Sequence, residues 1–142
     1  MIAQTIQLAL APVFVLVAIG NILNILSTRL GRIVDRARHL QVRHGVTEGA
    51  EHDMVVREIR FADQRIKLIG SAIRLLVISG LAIGMTVAIL FLEEIVKTQL
   101  ERVAAGFFIV AIGLLMWALT LFLRETQIAA AALRIPRDYL DH

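Results

Sequence analysis

Residues 6–43 read IQLALAPVFVLVAIGNILNILSTRLGRIVDRARHLQVR, and the character of this stretch changes in its middle. Residues 6–26 carry no charged side chain, and 21 residues at about 1.5 Å each are long enough to cross the apolar core of a bilayer. Residues 27–43 contain five arginines and one aspartate, yet their apolar side chains keep a helical spacing. Because no cluster of helix-breaking residues separates the two parts, the stretch predicts one helix that begins in lipid and ends in water.

The composition of the whole chain is typical of a membrane protein, since 58% of its 142 residues are hydrophobic and its mean hydropathy is +0.75. Residues 75–92 and 103–123 form two further windows without charge. A cleaved signal peptide is the alternative for the first window, but no Lys or Arg precedes it and the apolar run continues past Gly20. We therefore expect transmembrane helices at about 6–26, 75–92 and 103–123.

Two heptad patterns flank a turn predicted at residues 44–51, a segment with two glycines and no helical period. The first comprises Leu23, Leu26, Leu30, Ile33, Ala37 and Leu40, and the second comprises Val55, Ile59, Ala62, Ile66, Ile69 and Ile73. If the chain folds back at the turn, the two patterns stay in register over all six positions, and both alanines face a larger residue. Residues 27–74 are therefore predicted to form an antiparallel coiled-coil hairpin that continues the first two transmembrane helices.

The charged residues beside the heptad patterns follow the same register. Two pairs of opposite charge are predicted, Arg43 with Glu51 and Arg36 with Glu58. Arg29 falls opposite Arg65, where like charges should repel. A set of basic residues lies at this depth: Arg29, Arg32, Arg65, Lys67 and Arg74. These charges either set the topology while lipid headgroups solvate them, or form a site for an anionic lipid headgroup or another anion.

The loop charges also predict an orientation. Residues 27–74 hold ten basic and six acidic residues, whereas residues 93–102 hold two basic and three acidic ones. Since basic loops stay in the cytoplasm, the N-terminus is expected outside and the C-terminus inside.

The third helix is expected to continue to about residue 134, before Pro136. Its extension would pack Ile128, Ala132 and Ile135 against the hairpin near Val34 and Val56, which gives a three-helix bundle. The fold class is thus an all-α integral membrane protein with three transmembrane helices and a cytoplasmic hairpin.

The sequence LAPVFVLVAIGNILNILSTRLGRIVDRARHL, followed by a helix that ends in RIKLIGSAI, resembles the bacterial membrane family called domain of unknown function 2721. The resemblance covers essentially the whole chain and is most specific at the junction from Asn24 to Arg38. It implies a small, three-span protein of the bacterial inner membrane with a cytoplasmic hairpin. It implies no catalytic residue, substrate or partner.

The sequence lacks the common motifs for catalysis and ligand binding. The chain has no glycine-rich phosphate loop, nucleophile elbow or HExxH motif, and no cysteine, so we expect no enzyme activity and no cofactor. His44 and His52 flank the turn near three acidic residues, but their spacing matches no known metal site, and no metal is expected. The basic stretch lacks interleaved aromatic residues, so we expect no nucleic-acid binding. The predicted spans contain no ionisable side chain that could carry a proton relay.

Small and polar residues at helical spacing are candidates for contacts between helices or around a pore. They are Gly20, Asn21, Asn24, Ser27 and Gly31 on the first helix and Gly80, Gly84 and Ala88 on the second. Such residues let membrane helices approach closely. We therefore expect a homo-oligomeric structural or interaction protein whose hairpin faces lipids or a cytoplasmic protein partner. The alternative is an ion-conducting oligomer in which the first spans line a shared axis.

Overall fold

The computed structural model describes residues 2–46 and 48–133, with side chains to residue 130, and this part of the chain contains three helices and no strand. Helix α1 runs from Ile2 to His44, α2 from Ala50 to Val96, and α3 from Glu101 to Leu133. Helix α1 passes from the apolar window into the arginine-rich segment without a break, and Pro12 lies inside it. The prediction of one continuous first helix is confirmed.

All three helices are long and apolar enough to cross a membrane. Only 17%, 33% and 11% of their most apolar windows are buried within the chain, so most of this apolar surface faces outward. In water such a surface would be unfavourable, whereas lipid tails solvate it well. The chain is therefore built as a multi-pass membrane protein.

Helix α1 ends at His44 and α2 begins at Ala50, so the connection between them is shorter than the turn predicted at residues 44–51. The amide of Val46 donates to the carbonyl of Arg43 (3.1 Å), and the amide of Asp53 donates to the carbonyl of Gly49 (3.1 Å). Gly49 has a φ of 73°, a left-handed conformation that glycine adopts without steric cost. Basic residues in the last turn of α1 and acidic residues in the first turn of α2 complement the helix dipoles.

The described chain divides into two compact units. The apolar unit comprises residues 1–25 and 73–118. Here Ser79 Oγ donates to the carbonyl of Ala111 (2.7 Å), and Thr86 Oγ lies 2.9 Å from the carbonyl of Ala82 and 3.5 Å from that of Ala104. Ala104 and Ala111 are buried, and their small side chains let α3 approach α2 closely enough for these bonds.

The polar unit comprises residues 26–72 and the described residues from 119 onward. Its core contains six residues of the heptad patterns, Leu26, Ile33 and Leu40 from α1 and Val55, Ala62 and Ile69 from α2, each spaced by seven. The two predicted pairs of opposite charge are present, since Arg43 lies 3.1 Å from Glu51 and Arg36 lies 3.2 Å from Glu58. These two ion-pair predictions are confirmed.

The predicted contact face of the α3 extension is only partly described. Ile128 is half-buried, as are Val34 and Val56. Ile135 and the predicted helix end before Pro136 lie outside the described residues.

Disulfide crosslinking tests the predicted pairing of α1 with α2. The chain has no native cysteine, so every intramolecular disulfide bond must join the two introduced cysteines. We expect cysteines replacing Ile33 and Ala62 to crosslink within one chain in severalfold higher yield than cysteines replacing Ile33 and Ile69. All three positions are buried, so the second pair is a control matched in burial and two helical turns out of register. Equal yields on a non-reducing gel would contradict the pairing.

Candidate functional site

Glu125 on α3 is a glutamate whose side chain is fully buried, at 0% exposure. It follows Arg124, which comes directly after the uncharged residues 103–123. A carboxylate removed from solvent costs several kcal/mol unless cations and hydrogen-bond donors replace the lost water. The surroundings of Glu125 must therefore supply both.

Two arginines supply them. Arg29 Nε on α1 donates to Glu125 Oε2 at 2.7 Å, and Arg65 Nε on α2 donates to Glu125 Oε1 at 2.8 Å. Each carboxylate oxygen thus accepts one charge-assisted bond, which is roughly twice as strong as a neutral one. The Arg29 guanidinium also lies 5.5 Å from the centre of the Phe122 ring, within range of a cation–π interaction. One carboxylate therefore joins all three helices of the polar unit.

The register of α1 against α2 explains why an acid is needed here. Arg29 and Arg65 face each other, as the sequence predicts, and the expected repulsion is relieved because Glu125 accepts a hydrogen bond from each. Their side chains stay 33% and 26% exposed, so the arginines are only partly desolvated.

Sequence reasoning missed Glu125, although a signal for it exists. Among the residues of α3 whose side chains the structure describes, the buried ones are Ala104, Ala111, Ala118 and Glu125, which are spaced by seven. The fourth position of a buried repeat is thus a glutamate instead of an alanine. A charge at a core position, together with two arginines predicted to face each other, points to a buried ionic cluster.

The other basic candidates do not join this cluster. No hydrogen bond or ion pair within the described residues connects Arg32, Lys67 or Arg74 to Glu125. Lys67 Nζ lies 3.2 Å from Asp63 Oδ2, and both side chains are largely exposed. Arg32 is exposed in the polar unit, and Arg74 belongs to the apolar unit.

A groove of about 540 Å³ lies between α2 and α3 within the polar unit. Its lining residues are Gln64, Lys67, Leu68, Arg124, Gln127 and Ile128. We call it the α2–α3 groove. It combines two cations, two carboxamides and two aliphatic side chains, a composition suited to an amphiphilic anion.

The small and polar candidates lie mostly on the outside of the chain. The exposed ones are Gly20, Asn21, Asn24, Ser27, Gly31, Gly84 and Ala88. Gly80 is half-buried, and a Cβ added there would lie 3.6 Å from Leu16 Cδ1. A Cβ added at Gly20, Gly31 or Gly84 would meet no side chain of the described residues within 4 Å. Apart from Gly80, these residues are therefore available to contacts outside the chain.

Beside the connection between α1 and α2, the rings of His44 and His52 lie 4.4 Å apart, tilted by 50°. Among the described residues, no group of three or more His, Cys, Asp and Glu side chains is placed to hold a metal ion.

A family model described as "Protein of unknown function (DUF2721)" matches residues 9–135 of the chain. The match includes the junction in α1 and the buried glutamate of α3, and it confirms the resemblance seen in the sequence. No curated protein and no solved structure matches the chain.

Removing the charge of Glu125 tests the cluster. We expect Glu125→Gln to lower the free energy of unfolding by about 3 kcal/mol, because it leaves two partly buried arginines facing each other without an anion. Circular dichroism during denaturation in mixed micelles measures the change. Glu58→Gln is the matched control, since Glu58 also pairs with an arginine but is 48% exposed. That change should cost less than about 1 kcal/mol, and equal losses in both variants would contradict a special role for Glu125.

Proposed function

The chain belongs to the DUF2721 family, a group of proteins of unknown function, and we propose that it acts in the membrane as a homo-oligomeric, non-enzymatic interaction module. The observation that carries the proposal is the outward position of the small and polar residues of α1, represented by Gly20 and Asn24. The same holds for Gly84 and Ala88 on α2.

A second copy of the chain is the partner that suits these surfaces best. Asn21 lies within the uncharged window of residues 6–26, where an amide facing lipid is unfavourable. Gly20 beside it allows another helix to approach closely, and the Asn21 amide can then form a hydrogen bond with that helix. The close contact of α2 with α3 in the chain itself uses Ser79, Thr86 and alanines instead, which leaves Gly84 for a neighbour.

The polar unit is proposed to be the part that meets other molecules. In this proposal α1 and α2 form an antiparallel coiled-coil hairpin in the bacterial cytoplasm, with the N-terminus outside the inner membrane and the C-terminus inside. The buried heptad residues and the two ion pairs support the hairpin, and the excess of basic residues in 27–74 supports the orientation. The hairpin then presents its exposed charged face to a cytoplasmic protein partner.

The size of the purified protein tests the assembly. We expect a species larger than the 15.7 kDa protomer by light scattering in mild detergent. Gly20→Leu should weaken the association at least severalfold, because the added side chain separates the helices. Gly113→Leu is the control, since Gly113 also lies in an open position of a long apolar helix but is not one of the small and polar candidates on α1 and α2.

A monomeric wild-type protein in several detergents would contradict the proposal, as would equal effects of the two leucine variants.

The same preparations test the ion-conducting alternative, which the exposed positions of Asn21 and Asn24 on α1 favour. Unitary currents of the oligomer in planar bilayers that change in Asn24→Leu, with assembly intact, would make conduction the better account.

A further inference from the structure

The α2–α3 groove has two walls of matching chemistry. Helix α2 contributes Gln64, Lys67 and Leu68, and α3 contributes the corresponding set with Arg124, Gln127 and Ile128. Residues three and four apart lie on one face of a helix, so each wall presents one cation, one carboxamide and one aliphatic group together. Both walls belong to the polar unit of a single chain.

The groove has an excess of positive charge. Asp63 is paired with Lys67, but both side chains are mostly exposed, at 60% and 76%, so the pair is weak and screened. Arg124 forms no ion pair with another described residue. Glu125, its neighbour in the chain, is buried and accepts its bonds from Arg29 and Arg65. An incoming anion would therefore meet two cations that internal acids neutralise only in part.

The buried cluster holds the two walls at a fixed separation. Arg65 and Glu125 are joined at 2.8 Å across the interface of α2 and α3. Gln64 and Arg124 are their direct neighbours in sequence and lie on opposite walls of the groove. The site is therefore preorganised, which reduces the entropy that a ligand must lose on binding.

The groove also lies where charged and apolar sequence meet. Residues 103–123 contain no charge, and Arg124 is the first charged residue after them. On α2, residues 68–92 contain Arg74 as their single charge, and Lys67 directly precedes them. Cations at the ends of spanning segments lie at the level of lipid headgroups, while Leu68 and Ile128 offer apolar contacts beside them.

We propose that the α2–α3 groove binds an anionic phospholipid. Lys67 and Arg124 contact the oxygens of the headgroup phosphate, and the amides of Gln64 and Gln127 bond to the polar groups around it. Leu68 and Ile128 contact the first part of an acyl chain. Arg29 and Arg65, which the sequence had placed in such a site, instead hold the walls through Glu125. The proposal does not depend on assembly, because one chain supplies both walls.

Native mass spectrometry of the full-length protein tests this proposal. Released from nanodiscs of equal phosphatidylglycerol and phosphatidylcholine with identical acyl chains, the wild type should retain phosphatidylglycerol preferentially. Arg124→Gln should lower the ratio of the two retained lipids about fivefold, and Lys67→Gln/Arg124→Gln more than about tenfold. Arg57→Gln/Arg60→Gln removes the same charge from exposed positions of α2 outside the groove and should leave the ratio unchanged.

Three results would overturn the proposal. The first is a wild type without preference for phosphatidylglycerol, and the second is an equal loss of preference in the two double variants, which indicates diffuse attraction. The third is displacement of the lipid by millimolar inorganic phosphate, which indicates a site for a soluble anion.

A second comparison applies if Lys67→Gln/Arg124→Gln loses its helical circular dichroism signal and is therefore unfolded. In that case the lipid ratios of Arg124→Lys and Arg124→Gln are compared. If Arg124→Lys keeps the preference for phosphatidylglycerol and Arg124→Gln loses it, the proposal is supported. If the two variants retain the two lipids in the same ratio, the proposal is overturned.

Discussion

The buried carboxylate of Glu125 constrains the polar unit, because it accepts bonds from α1 and α2 while belonging to α3. Aliphatic side chains would hold three helices together as well, and often at least as stably as a buried ionic cluster. A hydrophobic core, however, tolerates sliding and rotation that two bonds of 2.7 and 2.8 Å do not. The cluster therefore specifies which residues of the three helices meet.

This constraint also divides the basic residues into two groups with different roles. Arg29 and Arg65 are used inside the chain, where a shared acid turns a repulsive pair into an attractive cluster. Lys67 and Arg124 remain on the surface of a groove whose walls the cluster fixes. The excess of positive charge in residues 27–74 is thus more than a topology signal. Part of it bonds to Glu125 inside the polar unit, and part, at Lys67, stays exposed beside the groove.

The sequence predicted what local periodicity determines. The seven-residue spacing of the apolar residues located the core of α1 and α2, and the same register predicted the pairing of Arg36 with Glu58. The same spacing on α3 puts Glu125 in line with three alanines, but it does not reveal the two arginines that bond to Glu125, which lie 96 and 60 residues away in the chain. For the same reason the alanines of α3 gave no sign that Ser79 would bond to the backbone of Ala111. The groove depends on the relative rotation of two helices, which spacing along one helix does not give.

A double-mutant cycle between Arg65 and Glu125 tests the central claim most directly. The free energy of unfolding is measured for the wild type, for Arg65→Gln, for Glu125→Gln and for the double variant under one set of micelle conditions. If the two side chains bond directly, the double variant should lose less stability than the two single changes together, by about 1 kcal/mol or more. Losses that add to within about 0.5 kcal/mol would show that the two residues act independently, and would contradict the account.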